Sequence, residues 1–160
     1  MPDGEVCEPL TLILQHLSRR FEAPEFPPHV TVLGSCLGER EEMVRQSALV
    51  AATLRPFTIH LGEIDFRDQY FRSLFAHAGP MEPLRDAHQA ACRTFSRTSD
   101  AEFMPHLSLL YGNFPESVKT DIMADLGPQL DVEFEVSSLY LFRTEGPVSD
   151  WRRVENYELL

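Results

Sequence analysis

Long apolar runs are missing from this chain of 160 residues. Stretches such as 48–52 fall far short of the roughly 20 residues that a membrane-spanning helix needs. Basic charge is scarce as well: 14 Lys and Arg stand against 25 Asp and Glu, a formal net charge of −11. A surface built to grip a long polynucleotide carries a basic stripe, so that class of function is set aside. A small phosphorylated ligand in a cleft of its own polarity is not. Cysteine is rare and odd in number. Cys7, Cys36 and Cys92 are widely separated, which reads as free thiols in a reducing compartment rather than a disulfide framework. No Cys/His cluster has zinc-like spacing, and neither a Gly-rich phosphate loop nor a dinucleotide fingerprint occurs. The opening residues MPDGEVCEPL have neither the basic start nor the apolar core of a secretory signal, and a cytoplasmic location is expected.

Against these absences stands an ordinary globular composition, 43% hydrophobic and 24% charged. The length suffices to bury a real core. With no linker or low-complexity segment, the expectation is one domain over residues 1–160 and a monomer.

One octapeptide occurs twice. Phe26-Pro27-Pro28-His29-Val30-Thr31-Val32-Leu33 returns as Phe103-Met104-Pro105-His106-Leu107-Ser108-Leu109-Leu110. In a strand, alternate side chains point to opposite faces. Val30, Val32, Leu107 and Leu109 then face a core, while His29 and Thr31, and His106 and Ser108, share the other side. A lone His-x-Thr is most simply a hydrogen-bonded histidine on a half-buried strand. Two copies suggest two imidazoles and two hydroxyls in one cleft. That set suits a phosphodiester: one histidine deprotonates water, the other protonates the departing oxygen, and the hydroxyls donate to the non-bridging oxygens.

The duplication extends outward. Leu10, Ile13, Leu14, Leu17 and Phe21 mark an amphipathic helix over 9–20, and Leu84, Ala87, Ala91, Cys92 and Phe95 a similar one after Pro83. Helices are expected at 39–53 and at 115–126, the second stopped by Gly127-Pro128. Strands are expected at 57–66, 69–78, 132–143 and 152–159. Helix, motif strand, helix, strand, strand therefore occurs twice. This predicts an α+β fold of two pseudo-symmetric lobes, with two antiparallel sheets flanked by helices around a central cleft.

The paired H-x-[TS]-x motifs, with Tyr70-Phe71, Tyr111 and the closing Glu145-Gly146-Pro147-Val148 and Trp151, resemble the two-histidine (2H) phosphoesterase superfamily. Within it the chain is most similar to the plant and fungal cyclic phosphodiesterases, over about residues 10–159. The resemblance implies hydrolysis of 2',3'-cyclic nucleotides to nucleoside 2'-phosphates, and of ADP-ribose 1'',2''-cyclic phosphate to the 1''-phosphate, without metal or other cofactor. It implies His29 and His106 as catalytic, Thr31 and Ser108 as phosphate-binding, and Tyr111 as a pocket aromatic. His106 is taken as base and His29 as acid, an assignment that the pseudo-symmetry of the two motifs leaves open to exchange. Relatives begin with an apolar strand that MPDGEVCE is too polar to supply, so a sheet here is expected to lack that edge. Two other functions share these residues: processing of an RNA 2',3'-cyclic phosphate end, and nucleotide binding without catalysis. The expected partner is a small cyclic nucleotide, with no membrane and no long nucleic acid.

The remaining histidines, His16, His60, His77 and His88, are read as structural or surface groups, His77 on a strand away from either motif. Cys36 follows the first motif but lacks the activating surroundings of a catalytic thiol. Arg72 is read as a solvated arginine in preference to a phosphate ligand.

Overall fold

The apolar stripe at Leu10, Leu14 and Leu17 forms helix α1, Cys7–Arg20, and buries all three side chains. The computed structural model describes residues 1–2, 4–98 and 102–160. Among these, three more helices follow: α2 (Arg40–Ala51), α3 (Met81–Thr94) and α4 (Glu116–Leu126). Glu41 and Glu42 sit in the first turn of α2, where carboxylates meet the positive end of the helix dipole. α3 has Pro83 near its start and turns Leu84, Ala87 and Ala91 inward. α4 stops at Gly127, whose φ of 89° suits glycine.

Six strands occur among the described residues: β1 (Phe57–Phe66), β2 (Leu74–Gly79), β3 (His106–Leu110), β4 (Gln129–Val136), β5 (Ser138–Arg143) and β6 (Arg152–Glu158). The first four make one antiparallel sheet in the order β3-β2-β1-β4, and β5 pairs with β6 in a second. The mixed α+β fold with two antiparallel sheets agrees with the expected class. Leu61, Ile64, Ala76, Leu107 and Leu109 join Leu10, Leu14 and Leu17 in the main core.

The two halves of the chain interleave. First-half strands β1 and β2 are flanked by β3 and β4 from the second half. In return, second-half strands β5 and β6 rest on first-half helix α2, where the Tyr157 hydroxyl donates to the Val44 carbonyl at 2.9 Å.

Helix and strand positions follow the periodicity closely, β1 to the residue. Three segments differ. The strand expected at 69–78 opens instead with a 3-10 turn at Tyr70–Arg72, closed by the Arg72 amide on the Gln69 carbonyl. The strand expected at 132–143 divides at Ser137 into β4 and β5, which belong to different sheets. The first motif forms no strand, since Val30 makes a single antiparallel bridge to Leu107. Pro27 and Pro28 supply no N–H to a ladder. Ser35, at φ 55°, bends the chain away soon afterwards. Ahead of α1, residues Gly4–Val6 form a 3-10 turn.

Candidate active site

The Val30–Leu107 bridge is enough to register the two motifs. Opposed residues of an antiparallel pair share a face. His29 therefore comes beside Ser108 and Thr31 beside His106, on the side away from the core that holds Leu107.

Both histidines are anchored alike. His29 Nδ1 donates to the Pro27 carbonyl at 2.7 Å, and His106 Nδ1 to the Met104 carbonyl at 2.8 Å. A carbonyl can only accept, so Nδ1 carries the hydrogen and Nε2 keeps its lone pair. Burial lowers the pKa of both rings, against the carbonyl bonds, which raise it. For His106 the charges of Arg72, His29 and His77 lower it further.

Tyr111 is buried, with its hydroxyl 3.5 Å from His29 Nε2 and its ring stacked on Phe26 at 3.8 Å. Burial pushes its phenol up to about 12, with the Ser108 hydroxyl opposing. The phenol therefore stays a donor near neutrality, facing the bare nitrogen of His29. The two motif hydroxyls differ. Thr31 is exposed, whereas Ser108 is 5% exposed and donates to the Phe71 carbonyl at 3.1 Å.

That carbonyl belongs to the Tyr70–Arg72 turn, at the head of the segment whose composition suggests a strand. Phe71, 52% exposed, lies edge-on to Tyr111 at 5.2 Å and tilted to Trp151 at 5.8 Å. The Gly112 amide holds the turn through the Tyr70 carbonyl at 2.9 Å. A Cβ on Gly112, at φ 144°, would run into the Phe114 ring.

His77 corrects the reading that set it apart. In the β2–β3 register it stands opposite His106, with Nε2 3.3 Å from the Asp65 carboxylate. Local periodicity carries no mark of that pairing; alignment of β2 with β3 would have revealed it. His88, 2% exposed on α3, donates from Nδ1 to the Val32 carbonyl at 2.8 Å and stacks on Phe103 at 4.0 Å. One helix residue thus braces both motifs. His60 meets Asp131 at the surface and His16 is exposed. Burial raises the Cys36 thiol, the wrong direction for a nucleophile.

Comparison with known proteins follows the same lines. The sequence model of the family described as 2'-5' RNA ligase superfamily matches residues 3–147. A protein of Arabidopsis thaliana named cyclic phosphodiesterase is 25% identical over 149 residues, 91% of this chain and 82% of that protein. The crystal structure of E. coli LigT complexed with 3'-AMP matches at a TM-score of 0.63 and 17% identity, covering 99% of this chain and 94% of that one. LigT complexed with NADP+ matches at a TM-score of 0.63 and 16% identity, with the same coverage. At these identities the solved structures show a shared fold.

Proposed function

The chain belongs to the 2'-5' RNA ligase superfamily, whose members include 2H phosphoesterases, and on that premise we propose a metal-independent cyclic phosphodiesterase acting on small nucleotides. The observation that carries the reading is the twin anchoring of His29 and His106, which leaves two unprotonated Nε2 atoms beside the paired motifs. The substrates are 2',3'-cyclic nucleotides, opened to 2'-phosphates, and ADP-ribose 1'',2''-cyclic phosphate, opened to the 1''-phosphate. The name of the plant relative and the nucleotides held by LigT support this choice.

In the proposed reaction His106 Nε2 takes a proton from water as its oxygen attacks phosphorus. The bond to the departing ribose oxygen breaks, and His29 Nε2, protonated on substrate binding, gives that proton to the oxygen. The anionic diester offsets the cost that burial places on the imidazolium. Thr31 and Ser108 donate to the non-bridging oxygens, Ser108 after turning from the Phe71 carbonyl. The Tyr111 hydroxyl stands 3.5 Å from His29 Nε2, where its oxygen accepts from that nitrogen once it is protonated, and Phe71 offers an open aromatic face for one base.

The reading is tested by phosphorus NMR of products from both substrates, with a chelator present. Single 2'- and 1''-phosphate products that survive chelation are expected. No turnover of either by folded protein would overturn it, as would activity abolished by the chelator and restored by one divalent ion. Processing of RNA ends remains the second reading, favoured by the family description. The net charge of −11 opposes it.

A further inference from the structure

The two-histidine chemistry leaves part of the cleft floor unused. In the antiparallel ladders His77 on β2 stands opposite His106 on β3, and Asp65 on β1 opposite Phe75 on β2. Opposed residues share a face. Asp65, Phe75, His77 and His106 therefore line one side of three adjacent strands spaced about 5 Å apart. Phe75 touches the rings of both His77 and His106, with centroids at 5.3 and 5.1 Å.

The charges along this row do not cancel. The Asp65 carboxylate accepts the Arg67 guanidinium at 2.9 Å, and Asp68 faces the Lys119 ammonium at 3.8 Å. Asp65 on β1 and Asp68 in the β1–β2 connection thus each face a cation. Arg72, exposed on the 3-10 turn that packs against β3 beside the Ser108–Phe71 hydrogen bond, forms no ion pair among the described residues, and its charge lowers the pKa of His106. His77 has Nε2 held by Asp65 at 3.3 Å and a side chain 36% exposed. In its doubly protonated form that ring gives one N–H to Asp65 and keeps Nδ1–H for a ligand. In a protein of net charge −11, Arg72 brings an uncompensated positive charge to the neighbourhood of one reactive histidine.

We propose that His77 and Arg72 form a second anion subsite, which takes a further phosphate carried by the nucleotide whose diester lies between His29 and His106. The subsite rests on the phosphodiesterase reading for its position. Its ligand is a phosphate group because several oxygens can meet the arginine fork and the imidazole N–H together. Asp65 positions the ring, and Arg67 offsets the repulsion its carboxylate would exert on the incoming anion. Among the cyclic diesters of the proposed reading, those that carry a second phosphate near the reacting one, as a dinucleotide-like molecule or a 5'-phosphorylated nucleotide does, are then bound more tightly than a bare cyclic nucleoside phosphate.

The test is calorimetric titration of the full chain with adenosine 2'-phosphate and with adenosine 2',5'-bisphosphate. For wild type, the 5'-phosphate should tighten binding about tenfold, the scale of one charge-assisted contact. His77→Gln and Arg72→Gln should each remove most of that increment, and Arg72→Lys should keep part of it. Arg72 lies on an exposed turn, so its variants keep the test open should His77→Gln fail to fold. Absence of the increment in wild type would overturn the proposal, as would its persistence in both Gln variants or the failure of both ligands to bind. The hydrolase reading fails separately: if wild type opens no cyclic diester yet the increment is present and lost in the variants, that reading falls and the subsite stands.

Discussion

At His29 and His106, one ring nitrogen is committed to a carbonyl two residues back, across a proline, and the other is left bare. Alanine at either position should lower kcat by about 10²–10⁴-fold, and the double variant should lose less than the product of the two, because the pair acts as a unit. Burial holds both pKa values below the ordinary 6.5. Folding therefore favours the neutral rings, and the stability they contribute is present above pH 6.5 and lost as pH falls through the lowered values. The thermal midpoint should drop on acidification below pH 6.5, and the double His29→Gln, His106→Gln variant should flatten that slope. The profile of kcat/KM should be a bell whose two limbs belong to the coupled pair. Tyr111→Phe removes the phenol facing His29 Nε2 and should cost about tenfold in kcat/KM, the scale of one hydrogen bond to a group that becomes charged. The histidines could be read from the sequence because their octapeptide is repeated. The inequality of Thr31 and Ser108 could not, since it depends on the Phe71 carbonyl, 37 residues away. Nor could the place of His77 opposite His106, which comes from a strand pairing that no local pattern encodes.

Among the elements, the Tyr70–Arg72 turn ties the aromatic wall to the second motif. It is held by the Gly112 amide and the Ser108 hydroxyl. Gly112→Ala would force a side chain against Phe114 and strain a positive φ. It should cost about 1–3 kcal/mol, read as a lower urea midpoint. Activity should fall as well if the turn shifts. The helices were foreseeable because their apolar spacing and stop signals agree, as at Gly127 after α4. The first motif was harder, since its alternation reads as strand while Pro27 and Pro28 supply no N–H to the neighbouring backbone. A repeat in sequence therefore does not guarantee a repeat in secondary structure, even where both histidines end with the same hydrogen bond.

For the molecule as a whole, the charge of −11 predicts selectivity by exclusion. Long single-stranded RNA without a cyclic end should not inhibit hydrolysis of a small cyclic nucleotide at physiological salt, a competition assay that separates the two enzyme readings. The α+β class and two antiparallel sheets followed from the doubled order of elements. The interleaving did not, because periodicity says which face of a strand is buried and not which strand lies beside it. Its consequence concerns ancestry. β1 and β2 complete their sheet with β3 and β4, while β5 and β6 lean on α2. A primitive gene encoding one half would have had little chance as a solitary fold. Its product could close both layers by exchanging strands with an identical copy, a two-fold dimer with one histidine from each subunit. Fusion of two such genes would turn that pairing into a single chain and free the two histidines to diverge.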